Sequence, residues 1–168
     1  TAFGQTPDYV PTDGLVGWYP FDGNAHDFSA NNHDGLAVNV AWGANRLGVP
    51  NSALDLTATS NDYVDLPPSA DSIFTNTATV ACWVKYPPIV GQTIFKSGAT
   101  PGLYDNFSAL TWNQASTGNR TIQLYSSDQY ISYEYEGEEV WKHLLAWRSW
   151  AIAAMVHLPD WAAAVFAP

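Results

Sequence analysis

The chain has 168 residues, enough for one domain with a real core, and its 46% hydrophobic, 14% aromatic and 13% charged residues, with 12 Gly and 11 Pro, are those of a folded, turn-rich protein. Sixteen acids against six bases give a formal charge of -10, which repels phosphate backbones and anionic membranes and excludes nucleic acid as the expected partner. No stretch is long and apolar enough to span a bilayer: the most apolar, AIAAMVHLP, is followed by Asp160.

The chain begins at Thr1 with neither an initiator Met nor a secretory leader, and so reads as a processed form or a piece of something longer. Residues 1–13 are a lead-in. Short alternating runs follow: GLVGWYPF (14–21), GLAVNVAW (35–42), SALDLTA (52–58), DYVDLP (62–67), ATVACWVKY (78–86) and QTIFKS (92–97). FSALTW (107–112), RTIQLYSS (120–127) and QYISYEYE (129–136) continue the series, separated by turn-forming segments such as TSND, PPSADS and STGN. Strand runs at this spacing predict an all-β sandwich or barrel. Alternation within residues 78–86 assigns Val80, Cys82 and Val84 to the core and puts Ala81, Trp83 and Lys85 on the other face, which is open unless a second layer covers it. Cys82, the sole cysteine, excludes an internal disulfide and a Cys-based zinc site and reads as a small buried hydrophobe.

Three motifs in order carry a resemblance: YVPTDGLVGWYPFDGNAHDFSANNHDG, then NSALDLTATSNDYVDLPPS, then FTNTATVACWVK. Together they resemble the laminin-G-like, concanavalin A-like jelly-roll family of secreted and surface proteins, above all its bacterial multidomain members. The likeness covers about residues 9–97, is taken up again at Trp141 and His143, and is lost after about residue 146. It implies a two-sheet antiparallel β-sandwich over 14–146, an extracellular location, and a loop that often carries calcium. Residues 147–168, WRSWAIAAMVHLPDWAAAVFAP, lack the Gly and Asn turn signals of the family's closing strands. They read as a short helix, an irregular apolar tail or two poorly marked strands. With three Trp and two formal charges, this end is expected to bury apolar area in its own sandwich or on a neighbouring subunit, with Trp147, Trp150 and Trp161 as interface anchors.

The loop FDGNAHDFSANNHDG (21–35) packs six Asn or Asp without a Lys, Arg or Glu. One reading is a long polar turn whose side chains bond their own backbone. The other is a calcium cradle in which Asp22, Asn24, Asp27, Asn31 and Asp34 supply the oxygens that this hard cation requires. The register excludes an EF-hand, since counting from Asp22 puts His26, Asp27 and His33 at its fifth, sixth and twelfth positions. His26 and His33 lack a third defined ligand for zinc.

Glu134, Glu136 and Glu139 form E-x-E-x-x-E, superficially the acidic strand of jelly-roll glucanases, in which carboxyl pairs on one strand face act on glycosidic bonds. Gly137 interrupts it, and the third acid falls on the opposite face from the first two, so a solvated acidic edge is the plainer reading. No nucleophile elbow, P-loop or dinucleotide fingerprint is present. The 24 aromatic residues (8 Trp, 9 Tyr, 7 Phe) exceed what one core obviously needs. Trp83, Trp112, Tyr125, Tyr130 and Tyr133 are therefore candidate sugar platforms, each with core packing as its alternative. The expectation is a non-catalytic extracellular module for glycans or cell-surface proteins. The alternatives are a self-associating subunit of a surface filament, fibre, appendage or virion, and a glycosidase.

Overall fold

A computed structural model describes residues 6–56, 61–70, 78–85, 92–97, 107–113, 119–126, 129–136, 141–148, 153–155 and 163–166. These residues are strand-rich and contain no α-helix. The strands are β1 (Leu15–Tyr19), β2 (Leu36–Val38), β3 (Ala41–Gly43), β4 (Ala53–Asp55), β5 (Tyr63–Asp65), β6 (Ala78–Lys85) and β7 (Gln92–Ser97). After them come β8 (Phe107–Asn113), β9 (Asn119–Ser126), β10 (Gln129–Glu136), β11 (Trp141–Arg148), β12 (Ala153–Met155) and β13 (Ala163–Phe166).

All pairings are antiparallel. A five-stranded sheet runs β1-β13-β6-β11-β12, a four-stranded sheet runs β10-β9-β8-β7, and two ribbons pair β2 with β5 and β3 with β4. β6 and β11 pair over eight positions, from Trp141 opposite Lys85 to Arg148 opposite Ala78. β10 also runs close to β12, which brings the edges of the two larger sheets together.

The run expected as one strand over 35–42 is two. Asn39 sits in the left-handed region with φ 54°, which ends β2 and turns the chain into β3, and its side-chain amide donates to the Asn61 carbonyl at 3.3 Å. Asn tolerates that conformation through local hydrogen bonding. The two halves then pair with different partners, β2 with β5 and β3 with β4.

Residues 163–166 form the last strand, set between β1 and β6, with Ala164 opposite both Trp18 and Ala81. Beyond the end of β11, the described residues of the C-terminal stretch are the two short strands β12 and β13, and the rest of that stretch lies outside the described residues. Ala-Ala-Val-Phe carries no period-2 alternation, so its sequence lacks the usual strand signal.

The core gathers Leu15, Trp18 and Tyr19 of β1 with Ala78, Val80 and Ala81 of β6, all buried. Val80 meets the expectation for it, whereas Cys82 and Val84 on the same face are half-buried. Ala81 is buried on the opposite face, so both faces of β6 are covered near its start. A second small cluster packs Val16 and Leu66 against Ala70 and Ala78. Burial pushes the Cys82 thiol up to about 12, which makes it inert at neutral pH.

Candidate functional site

The polar loop after β1 is organised from beneath by Asp27, whose residue is 7% exposed. Its Oδ1 accepts the backbone N–H groups of Trp18 and Ser29 at 2.9 and 2.8 Å. Its Oδ2 accepts the Ser29 hydroxyl at 2.8 Å and the His33 backbone N–H at 2.9 Å. Four donors on one buried carboxylate hold the start of the loop, its end and the strand beneath it together. Asn31 adds a second tie, its amide donating to the Leu15 and Val16 carbonyls at 2.9 and 3.2 Å. Tyr19 adds a third, its hydroxyl donating to the His33 carbonyl at 2.8 Å. Burial raises the Tyr19 pKa, with the charges of Asp27 and Asp34 acting in the same direction.

The loop's outer side carries Asp22, Asn24, His26 and Asp34. Asp34 accepts the Asp27 backbone N–H at 2.8 Å through Oδ1 and lies 3.2 Å from His26 Nδ1 through Oδ2. The Asp27 N–H and then His26 hold the Asp34 carboxyl below its ordinary value. Asn24 accepts the His26 N–H at 2.9 Å and donates to the Asp22 carbonyl at 3.2 Å. Phe21, just before, takes the left-handed conformation at φ 59°, with its carbonyl accepting the Gly23 N–H at 3.0 Å and its ring stacked on Tyr19 at 6.0 Å. A bulky residue in that region is strained by about 1–2 kcal/mol.

The five candidate calcium ligands are already engaged within the loop to different degrees. Both oxygens of Asp27 and both of Asp34 serve the protein's own donors, and no group of three His, Cys, Asp or Glu residues converges among the described residues. The amide of Asn31 faces the β1 backbone. Nor is there a nucleophile–base pair in the loop. The Ser29 hydroxyl donates to Asp27 or to the Val16 carbonyl, and the His33 ring meets that same carbonyl through Nδ1 at 3.2 Å. Since a carbonyl only accepts, Nδ1 carries a proton there.

Trp83, expected on an open face, is covered. The loop between β3 and β4 lays Arg46 over its ring, with the guanidinium carbon 4.7 Å from the centroid, in cation–π geometry. Asn45 fixes that loop: its side chain accepts the Leu47 and Val49 N–H groups at 2.9 and 3.1 Å, and its backbone N–H donates to the Val49 carbonyl at 2.9 Å. Sequence reasoning missed Arg46. The available signal was a base, rare in this chain, next to an Asn-x-x-Gly turn.

The other candidate platforms lie in the four-stranded sheet, away from Trp83 in the strand order: Trp112 on β8 opposite Thr121, and Tyr125 and Tyr130 directly opposite each other on β9 and β10. Tyr133 stands opposite Ile122. Glu134 and Glu136 stand opposite Thr121 and Asn119, while Glu139 lies outside the described residues. Trp147 lies on β11 between Thr79 and Ala154, and Trp150 and Trp161 lie outside the described residues. No protein family, curated protein or solved structure matches the chain.

Proposed function

We propose that this chain is a non-catalytic, extracellular binding module of the laminin-G-like jelly-roll type that recognises glycans or surface partners through the loop after β1. The observation that carries this reading is the buttressed loop, in which buried Asp27 ties Trp18, Ser29 and His33 together. Polar groups held on a rigid support lose little freedom on binding, and Asp22, Asn24, His26 and Asp34, though tied to one another within the loop, keep further lone pairs and N–H groups suited to sugar hydroxyls. Phe28, 39% exposed, adds an apolar face beside them. The sandwich architecture draws support from two antiparallel sheets of five and four strands whose edges meet at β10 and β12.

In this proposal the loop holds its shape through its own hydrogen bonds and needs no calcium. A glycan array probed with the purified chain, once with EDTA and once with calcium, tests it. The expected result is the same set of positive glycans in both conditions, weakened by Asn24→Ala combined with Asp34→Ala. An array without a positive glycan in either condition contradicts the reading, and binding confined to the calcium arm contradicts its metal-free form. The filament or particle alternative draws on the C-terminal segment, and the place of β13 between β1 and β6 gives that segment a partner within the chain.

A further inference from the structure

We propose that residues 27–33 guard the free edge of β1, and that this edge, once uncovered, is a self-association surface for β1 of a second copy of the chain, whether or not the outer side of the loop binds sugar. β1 stands at the end of the five-stranded sheet, with β13 on one side only. An edge strand offers its N–H and carbonyl groups to any extended chain that reaches them, and a covering loop prevents this. Here the outer groups of β1 are met one after another by the loop. The Trp18 N–H donates to Asp27 Oδ1 at 2.9 Å, and the Trp18 carbonyl accepts the Phe28 N–H at 2.9 Å. The Val16 carbonyl lies 3.2 Å from each of the Asn31 amide, His33 Nδ1 and the Ser29 hydroxyl, and the Leu15 carbonyl accepts from the Asn31 amide at 2.9 Å.

Among these contacts the Phe28 N–H alone is a backbone bond of the kind a neighbouring strand would make. The others come from the side chains of Asp27, Ser29, Asn31 and His33, so the ladder ends at the loop and is not passed on to a further strand. A polar turn that only satisfied its own backbone would need none of them. Behind the guard lies Leu-Val-Gly-Trp-Tyr, an uncharged run followed by Pro20, which has no N–H to extend a pairing. Its outer groups complement themselves. Antiparallel pairing of two copies about Gly17 sets Val16 of each opposite Trp18 of the other, so each Trp18 N–H meets a Val16 carbonyl in an isologous contact. The opposing force is the repulsion between two chains of charge -10, which salt screens.

Sedimentation velocity over a concentration series tests this on the full chain, on Ser29→Ala combined with Asn31→Ala, and on Asp27→Ala. Both variants should dimerise at protein concentrations about tenfold or more below any at which the parent does, and more readily as salt is added. In the dimer the Trp18 amide should exchange with solvent more slowly than in the same variant diluted to monomer. Val80→Ala, which weakens the core and leaves the loop intact, should keep the parent's mass throughout. If Asp27→Ala does not fold, the double variant decides alone. The parent's mass at every concentration in the double variant overturns the proposal, as does an equal shift in Val80→Ala or a dimer whose Trp18 amide is no better protected. A double variant that unfolds also overturns it, because the loop is then a part of the sheet's stability rather than a cover over its edge.

Discussion

Asp27 is the residue on which the loop depends. Replacing it with Ala leaves the N–H groups of Trp18, Ser29 and His33 without their acceptor, one of them in the core. Urea denaturation of Asp27→Ala should show a loss of about 3 kcal/mol, the scale expected when several buried donors lose a charged acceptor. The loss should be the same with and without calcium. Asp22→Ala, on the outer side, should stay within about 0.5 kcal/mol of the parent. Asp34 gives the loop an acid limit. Its carboxyl is held below the ordinary value of 3.8 by the Asp27 N–H and then by His26, so its contribution is complete above 3.8 and is lost as pH falls through the lowered folded value. Asp34→Asn should therefore flatten the acid end of a stability–pH profile. Cys82 gives the mirror case at high pH. With its pKa raised from 9.0 to about 12 by burial, its contribution is complete below 9.0 and is lost as pH climbs toward 12. A thiol reagent should accordingly label Cys82 slowly in the native chain and rapidly in denaturant.

Among the elements, β13 carries the heaviest structural duty for its length. It pairs with β1 on one side and β6 on the other, so Ala164→Pro removes a donor from the middle of a sheet and introduces ring clashes there. This variant should lose at least about 3 kcal/mol or fail to fold cooperatively, whereas Ala153→Pro at the start of the edge strand β12 should cost much less. Thermal melting of the two variants makes the comparison. The same strand shows where sequence reading reaches its limit. β6 through β10 declare themselves by alternation and turn residues, and the expected bounds for β7 and β10 coincide with the strands found. β13 is a short apolar run without alternation, equally compatible with a helix, and its place is set by partners far away in sequence. Asn39 could be read as a strand residue or as a turn residue, and the pairing of β2 and β3 with different strands decides for the turn. Within the site, the polar loop was legible as a loop, but composition does not distinguish Asp27, which turns inward, from Asp22 and Asp34, which stay at the surface. The Arg46–Trp83 contact joins residues far apart in sequence, and the Asn45 turn that carries Arg46 marks the loop without marking its partner.

At the scale of the molecule, charge and architecture point the same way. A chain with a charge of -10 repels itself, and added salt should raise its melting temperature by screening that repulsion. The proposed reading matches an acidic, strand-rich molecule with a braced polar loop to neutral polar ligands rather than to polyanions. The central claim is that such a molecule binds sugar and leaves it intact. The measurement that tests this most directly is incubation with the polysaccharide that carries the best glycan from the array, recording protein retention and released reducing ends in the same sample. The account predicts saturable retention, unchanged by EDTA, with reducing ends constant over time. No retention on any polysaccharide, or a steady release of reducing ends that Glu134→Gln abolishes, would contradict it.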